Sequence, residues 1–197
     1  MDNTLKNYRS KTRKLVIIGM LGGISIFLGL TPLGIIHLPV MNLTIMHIPV
    51  IIGAILEGPL VGGSIGLIFG LFSMYQNITA PNLTSFIFMN PMIALLPRIL
   101  IGIVTYYVYA FIKNKFKNKS ISIGVASIAG TLTNTIGVLG LTYILYLDRY
   151  AAAKQISTDM VAGALLTVVG TNGIAEAIAS AVIAIPVITA LSKIRKF

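Results

Sequence analysis

The sequence predicts an all-α membrane protein, with six transmembrane helices in one bundle and both termini in the cytoplasm. The first observation is composition, because 56% of the 197 residues are hydrophobic and only 10% are charged, unlike an ordinary soluble domain. The second is the low charge between Lys14 and Lys113, where only Glu57 and Arg98 are charged. The third is that twelve of the fifteen Lys and Arg residues form three blocks, and such blocks mark cytoplasmic segments.

The three basic blocks determine the predicted topology. They are Lys6, Arg9, Lys11, Arg13 and Lys14; Lys113, Lys115, Lys117 and Lys119; and Lys193, Arg195 and Lys196. Blocks on one side of the membrane need an even number of spans between them. The apolar segments supply four spans between the first and second blocks and two between the second and third. A net charge of +10 also suits nucleic acid, but blocks that flank apolar runs are better explained by anionic lipid headgroups. We therefore predict the lipid bilayer, and no nucleic acid, as a partner.

Six apolar runs are interpreted as the spans of one domain, residues 1–197, in the cell membrane. They lie near residues 14–31, 43–56, 59–75, 89–112, 120–147 and 161–192. The second run has about 14 residues, fewer than the roughly 20 that a perpendicular helix needs, so we expect it to end below the membrane surface or to be extended by loop structure. Glu57-Gly58-Pro59 predicts a tight cytoplasmic hairpin after it. The last two runs exceed the bilayer thickness and are expected to tilt or protrude.

Three connections face outward in this topology, at residues 32–42, 76–88 and 148–160. The first two contain no Lys or Arg and are rich in Pro, Asn, Thr and apolar residues. Two interpretations stay open, because these segments either fold back over the mouth of the bundle as a lid or are ordinary connecting loops. The segment after the first span has no convincing small-x-small cleavage site, so that span is not expected to be a cleaved signal.

Glycines at a four-residue spacing mark one face on each of two spans. They are Gly62, Gly66 and Gly70 in the third span, and Gly19 and Gly23, with Gly22 beside them, in the first. Small residues let helix backbones approach closely in a bilayer, where lipid gives no hydrophobic drive for association. Internal packing is favoured for the third span. For the first span, internal packing competes with docking onto another membrane protein.

Polar residues inside the spans are the most specific signal for function. Arg98, Asn134 and Glu176 each lie 15 to 17 residues from a basic block. At about 1.5 Å per residue, all three stand roughly 22 to 26 Å above the cytoplasmic helix ends. A charge at this depth costs at least a few kcal/mol unless it is paired or hydrated, so it normally faces the bundle interior or a cavity. These three residues are therefore predicted to line a site for a small polar molecule.

Four more residues are predicted to join this substrate site. They are Asn172, one turn outward from Glu176, then Asn90 and Tyr143 further outward, and His37 in the first outer loop. The alternative is a buried Arg98–Glu176 ion pair that only fixes helix packing. Both interpretations stay open from the sequence.

Catalysis and metal binding find little support in the sequence. The chain has no Cys, and its spans contain neither an HExxH motif nor a Ser-His-Asp set. His37 and His47 are ten residues apart with no carboxylate nearby, which makes a poor metal site. We therefore predict no enzyme activity, no metal and no cofactor.

Several phrases of the sequence occur in the order of a known family. They are residues 14–23 (KLVIIGMLGG), 44–54 (TIMHIPVIIGA), 57–59 (EGP), 66–71 (GLIFGL), 96–102 (LPRILIG), 133–135 (TNT) and 171–173 (TNG). Taken together, they resemble the six helices of the substrate-binding S components of energy-coupling factor (ECF) vitamin transporters. The resemblance covers nearly the whole chain, although glycines stand at 19 and 23 where the family usually has Ala-x-x-x-Ala.

The resemblance implies a binding subunit of a bacterial plasma membrane with no ATPase of its own. A vitamin or precursor would bind from outside, in a pocket formed by the first and third outer loops and the outer parts of helices four to six. The subunit would dock, through Gly19, Gly22 and Gly23, onto a transmembrane coupling (T) subunit driven by two ATPases, and topple to release its substrate inside. The chain has no Walker A sequence, which fits an energy supply from partners.

The sequence indicates the family more specifically than it indicates the substrate. Helices two and three most resemble the pantothenate branch, and Arg98 suits a carboxylate ligand. The riboflavin and hydroxymethylpyrimidine branches share much of the pattern, and Glu176 either neutralises Arg98 or binds a substrate hydroxyl or amine. Two other classes also stay open: a stand-alone secondary transporter or channel that uses Arg98 and Glu176 as a proton or ion relay, and a structural scaffold that binds no ligand.

Overall fold

A computed structural model describes residues 2–37, 42–116 and 118–194, with side chains for 11–34, 43–116 and 118–194. The helices are α1 (Asp2–Leu30), α2 (Ile48–Glu57), α3 (Pro59–Thr79), α4 (Ser85–Phe88), α5 (Pro91–Lys115), α6 (Lys119–Lys154), α7 (Thr158–Val168) and α8 (Ile174–Ile194). The strands β1 (Ile35–His37) and β2 (Asn42–Thr44) form a short antiparallel hairpin between α1 and α2.

The described residues form an all-α membrane architecture with five segments long and apolar enough to cross a bilayer. These segments are Lys11–Leu30, Pro59–Thr79, Pro91–Lys115, Lys119–Lys154 and Thr158–Ile194. The ten residues of α2 reach only about 15 Å, half of a hydrocarbon core about 30 Å thick. The six-span arrangement and the cytoplasmic termini therefore remain predictions.

Helix α2 is the centre of the bundle rather than a complete span. Every residue from Ile48 to Ile55 is buried, and α2 packs against α1, α3, α5 and α8. A helix that is enclosed on all sides needs no polar face, which explains its uniformly apolar sequence. Part of the predicted second span is instead β2, so the chain enters the bundle as a strand. The predicted tight turn after α2 is confirmed, since Gly58 alone separates the two helices and has a φ of 103°, a value that favours glycine. Its cytoplasmic location stays a prediction.

The glycine stripe of α3 packs directly against α5. A Cβ atom on Gly66 would lie 2.2 Å from the carbonyl oxygen of Arg98, and one on Gly62 would lie 3.0 Å from the Cα of Gly102. Such contacts leave no room for a side chain, which confirms the prediction of internal packing for the third span. This close approach fixes the backbone of α5 at Arg98.

The last two long helical segments differ from the predicted spans near the connection between them. Helix α6 departs from helical dihedrals at Tyr146 (φ −136°, ψ 26°) and then continues to Lys154. Only residues 155–157 join it to α7, so most of the outer connection predicted at 148–160 is helical. Helices α7 and α8 are continuous through a π-helical turn, Val169–Gly173.

Candidate functional site

A cavity of about 300 Å³ lies between the C-terminal part of α3 and the middle of α6, beside the start of α5 and the π-helical turn. Its polar lining consists of Thr44, Ser73, Gln76, Arg98, Asn134, Thr135, Asn172 and Glu176, and its larger apolar lining residues are Met46, Phe69, Phe88, Val138, Leu139 and Val168. A mostly apolar wall with a few converging polar groups is typical of small-molecule sites, whose volumes begin at about 300 Å³.

Four of the seven residues predicted for the substrate site line this one cavity. They are Arg98, Asn134, Asn172 and Glu176. They come from three separate helical segments, and the depth calculation from the sequence placed three of them at the same level. The structure thus brings the intramembrane polar groups together around a hollow, and none of the four is classed as exposed.

Arg98 is held in the cavity wall by a carbonyl that a proline leaves free. Residue 97 of α5 is proline, so the carbonyl of Ile93 has no N–H four residues later to accept from. The Nη1 of Arg98 donates to that carbonyl oxygen at 2.8 Å. The sequence Pro97-Arg98 therefore supplies both the unpaired acceptor and the side chain that binds it.

The rest of the Arg98 guanidinium faces aromatic rings and the cavity. Its Cζ lies 5.0 Å from the ring centroid of Phe88 and 5.7 Å from that of Phe69, distances at which a desolvated cation is stabilised by the ring faces. The side chain is only 5% exposed. Its Nε has no hydrogen-bond partner in the described part of the chain, and a buried charged donor without a partner is costly.

Glu176 binds the β1–β2 hairpin rather than Arg98. Its Oε1 accepts hydrogen bonds from the backbone N–H of Thr44 at 2.8 Å and from the Thr44 hydroxyl at 2.5 Å. Within the described side chains, Arg98 and Glu176 form no ion pair. The described structure therefore does not contain the buried Arg98–Glu176 pair that the sequence left open as an alternative. Glu176 instead ties α8 to β2 at the cavity wall.

The two asparagines present amide groups to the same cavity. The Oδ1 of Asn134 is buried and has no hydrogen-bond partner among the described residues. Asn172 lies in the π-helical turn, where its Oδ1 accepts from the Thr171 hydroxyl at 3.2 Å. The turn packs closely on α6, because a Cβ on Gly173 would lie 3.1 Å from the Cγ2 of Thr135. Such π-turns often occur at functional sites.

The other three predicted residues do not join this cluster in the described structure. The Oδ1 of Asn90 caps α5 by accepting from the N–H of Met92 at 2.9 Å, and its Nδ2 donates to the Tyr146 hydroxyl at 3.2 Å. Tyr143 is 44% exposed. Neither residue is among the described lining of the cavity, and the side chain of His37 lies outside the described residues. Their binding roles stay predictions.

The cavity also contains residues that the sequence analysis missed. Thr44 and Met46 follow the first predicted connection, and Phe88 belongs to the second, so the described cavity wall includes the end of β2 and part of the second connection. The resemblance implied the first and third outer loops, but no described residue of 148–160 lines the cavity. No sequence pattern marks Phe69 or Phe88 as a partner of Arg98, since both resemble ordinary core aromatics.

His47 lies close to the cavity but within the core. It is 1% exposed, and its Nε2 lies 3.0 Å from the Oγ1 of Thr131, which also donates to the Oγ of Ser180 at 2.9 Å. These contacts connect the start of α2 to α6 and α8. Among residues 2–37, 42–116 and 118–194 there is no group of three potential metal ligands.

The glycines of α1 divide between two surfaces. A Cβ on Gly22 would lie 2.8 Å from the Cδ1 of Ile68, so this glycine packs against α3. For Gly19 and Gly23, no described atom lies within 4 Å of such a Cβ. The open face of α1 therefore contains Gly19 and Gly23 but not Gly22.

A comparison with protein families identifies the family of this chain. Residues 13–188 match the family model of the ECF transporter, substrate-specific component. The chain belongs to this family. It is an S component, and the matched range begins near the start of the apolar segment of α1 and includes most of α8.

Two relatives of this S component carry the names of vitamin transporters. The pantothenic acid transporter PanT of Lactococcus lactis subsp. cremoris is 31% identical over 148 residues, which cover 68% of this chain and 69% of the relative. The pantothenate transporter PanT of Leuconostoc mesenteroides is 31% identical over 120 residues, which cover 59% of each chain. Both relatives are named as transporters rather than enzymes.

Proposed function

We propose that this S component binds pantothenate from outside the cell and delivers it to an ATP-driven importer. The observation that carries the proposal is the pair of buried polar atoms without partners, the Nε of Arg98 and the Oδ1 of Asn134, which belong to residues that line the same cavity. A ligand with an anionic group and a hydrogen-bond donor would satisfy both atoms.

The chemistry of pantothenate suits this lining. Its carboxylate would pair with the guanidinium of Arg98, and its hydroxyl groups and amide N–H would donate to Asn134, Asn172 or Glu176. Riboflavin and hydroxymethylpyrimidine have no carboxylate, so either would leave the Arg98 charge unpaired. Riboflavin also has a three-ring system, whereas the cavity volume of about 300 Å³ is at the lower end for ligand sites. The names of the two relatives support the same choice.

Release of pantothenate into the cell would require partner subunits. The family implies a transmembrane T subunit and two ATPases, with all three basic blocks and both termini on the cytoplasmic side of the bacterial plasma membrane. The open face of α1, with Gly19 and Gly23, would dock onto the T subunit. A stand-alone ion relay has less support, because Arg98 and Glu176 have separate partners among the described residues.

Calorimetric titration of the purified protein tests the substrate proposal. Pantothenate is expected to bind at one site, and pantothenol, in which an alcohol replaces the carboxylate, is expected to bind far more weakly. Riboflavin and hydroxymethylpyrimidine serve as comparison ligands. Equal binding of pantothenate and pantothenol would reject the carboxylate contact, and tighter binding of either comparison ligand would reject pantothenate as the substrate.

A further inference from the structure

A second cavity, of about 240 Å³, lies at the opposite end of the bundle. It is formed where α2, α5 and α8 end and α6 begins. On α5, Lys113 at this cavity is about 22 Å from Arg98 at the pantothenate cavity, at 1.5 Å per residue. The two cavities share no described lining residue, so the second is a separate site.

The lining of this second cavity combines cations with an apolar floor. Lys113, Lys119 and Ser192 supply its polar groups, while Ile55, Leu56, Tyr109 and Ile188 form the rest of the wall. No described Asp or Glu lines it. Two lysines from different helices therefore converge beside hydrocarbon, an arrangement that favours a ligand with an anionic end and an apolar body.

Both ammonium groups have defined positions. The Nζ of Lys119 donates to the Oγ of Ser192, whose own hydroxyl donates to the carbonyl of Thr189 at 2.9 Å. The Nζ of Lys113 lies 5.7 Å from the ring centroid of Tyr109. Ser192 and Tyr109 thus lie beside the two cations at the cavity, and both lysine residues are exposed at its mouth.

We propose that this cavity binds the phosphate of an anionic phospholipid headgroup. The ends of membrane-spanning helices lie at the level of the headgroups, where each Lys contributes about 1 kcal/mol of attraction to anionic lipid. Leu56, which is partly exposed beside the two lysines, would contact the glycerol of the lipid, whereas a soluble phosphate has no apolar group to place there. This inference does not depend on which vitamin the S component binds.

Native mass spectrometry of the detergent-purified protein tests the lipid site. Dioleoyl phosphatidylglycerol is expected to remain bound more strongly than dioleoyl phosphatidylcholine. Lys113→Gln should weaken the retention of phosphatidylglycerol about fivefold. The matched control is Lys115→Gln, which removes the same charge from the same helix end but from a side chain that lies over Phe116, outside the described lining of the cavity.

The outcomes separate a built site from diffuse attraction. Equal losses in the Lys113 and Lys115 variants, or equal retention of the two lipids by the unmodified protein, would overturn the proposal. Full displacement of phosphatidylglycerol by inorganic phosphate would assign the site to a soluble anion instead. Ser192→Ala keeps both lysine charges and should still weaken the retention of phosphatidylglycerol. This variant tests the site even if Lys113→Gln does not fold. Pantothenate titration of each variant shows independently whether the outer cavity is intact.

Discussion

Replacing Arg98 by Gln tests whether its guanidinium binds the carboxylate of the ligand. Arg98 is 5% exposed, and truncating one partner of a buried, hydrogen-bonded charge pair costs about 2 to 5 kcal/mol. At 1.4 kcal/mol for each tenfold change, the dissociation constant for pantothenate should rise about 30-fold to several thousand-fold. Arg98→Lys keeps the charge but loses the planar fork, so it should show a smaller loss.

The effect on the ligand must be separated from the effect on the fold, because Arg98 also donates to the carbonyl of Ile93. A cycle of two proteins and two ligands does this, with calorimetric titration of pantothenate and pantothenol into the unmodified protein and Arg98→Gln. If the guanidinium contacts the carboxylate, the substitution should weaken pantothenate strongly and pantothenol little. An equal loss for both ligands would refute the contact and assign Arg98 to structure.

Four further substitutions test the cavity and the glycines of α1. Asn134→Leu removes a buried acceptor that has no partner in the described chain. It should raise the thermal midpoint, by an amount corresponding to about 1 kcal/mol, and raise the dissociation constant for pantothenate at least tenfold. Thermal unfolding measures the first effect and calorimetry the second. Thr44→Val removes the hydroxyl that donates to Glu176 and should speed pantothenate dissociation in stopped-flow or filter-binding assays. Gly19→Leu, on the open face of α1, should preserve pantothenate binding but reduce pantothenate uptake in proteoliposomes with the partner subunits. Gly22→Leu should instead lower the thermal midpoint, because Gly22 packs against α3.

Each of these tests has a control or an opposing outcome. Thr31→Val is the control for Thr44, since the Thr31 hydroxyl donates only to a carbonyl within its own helical turn, that of Phe27, and it should leave dissociation unchanged. A fall in the thermal midpoint of Asn134→Leu would mean that the amide of Asn134 stabilises the fold rather than binding a ligand. Loss of pantothenate binding in Gly19→Leu would show that this glycine packs the fold and does not dock a partner.

The sequence predicted one depth for Arg98, Asn134 and Glu176, and all three line one cavity, but their contacts could not be predicted. Depth follows from a fixed rise per residue counted from the basic blocks. The choice of partner depends on helix rotation and on the carbonyl that Pro97 leaves free, so the sequence left an Arg98–Glu176 pair open. Thr44 as the partner of Glu176 depends on a strand hairpin 132 residues earlier in the chain, which no local pattern indicates.

The ends of the helical segments were the least predictable part of the fold. A short apolar run is compatible with either helix or strand, and residues 43–56 contain both β2 and α2. The sequence analysis ended the fifth span near residue 147, yet α6 continues through three alanines to Lys154, and alanine favours helix outside the membrane as well as inside it. The π-helical turn at Val169–Gly173 has no sequence signature.

The most direct test of the binding account is an experimental structure of the protein with pantothenate. The account predicts ligand density in the cavity between Arg98, Asn134 and Glu176, with a carboxylate oxygen about 2.7 to 2.9 Å from a guanidinium nitrogen of Arg98. Density for pantothenate at any other place, or a carboxylate that points away from Arg98, would contradict it.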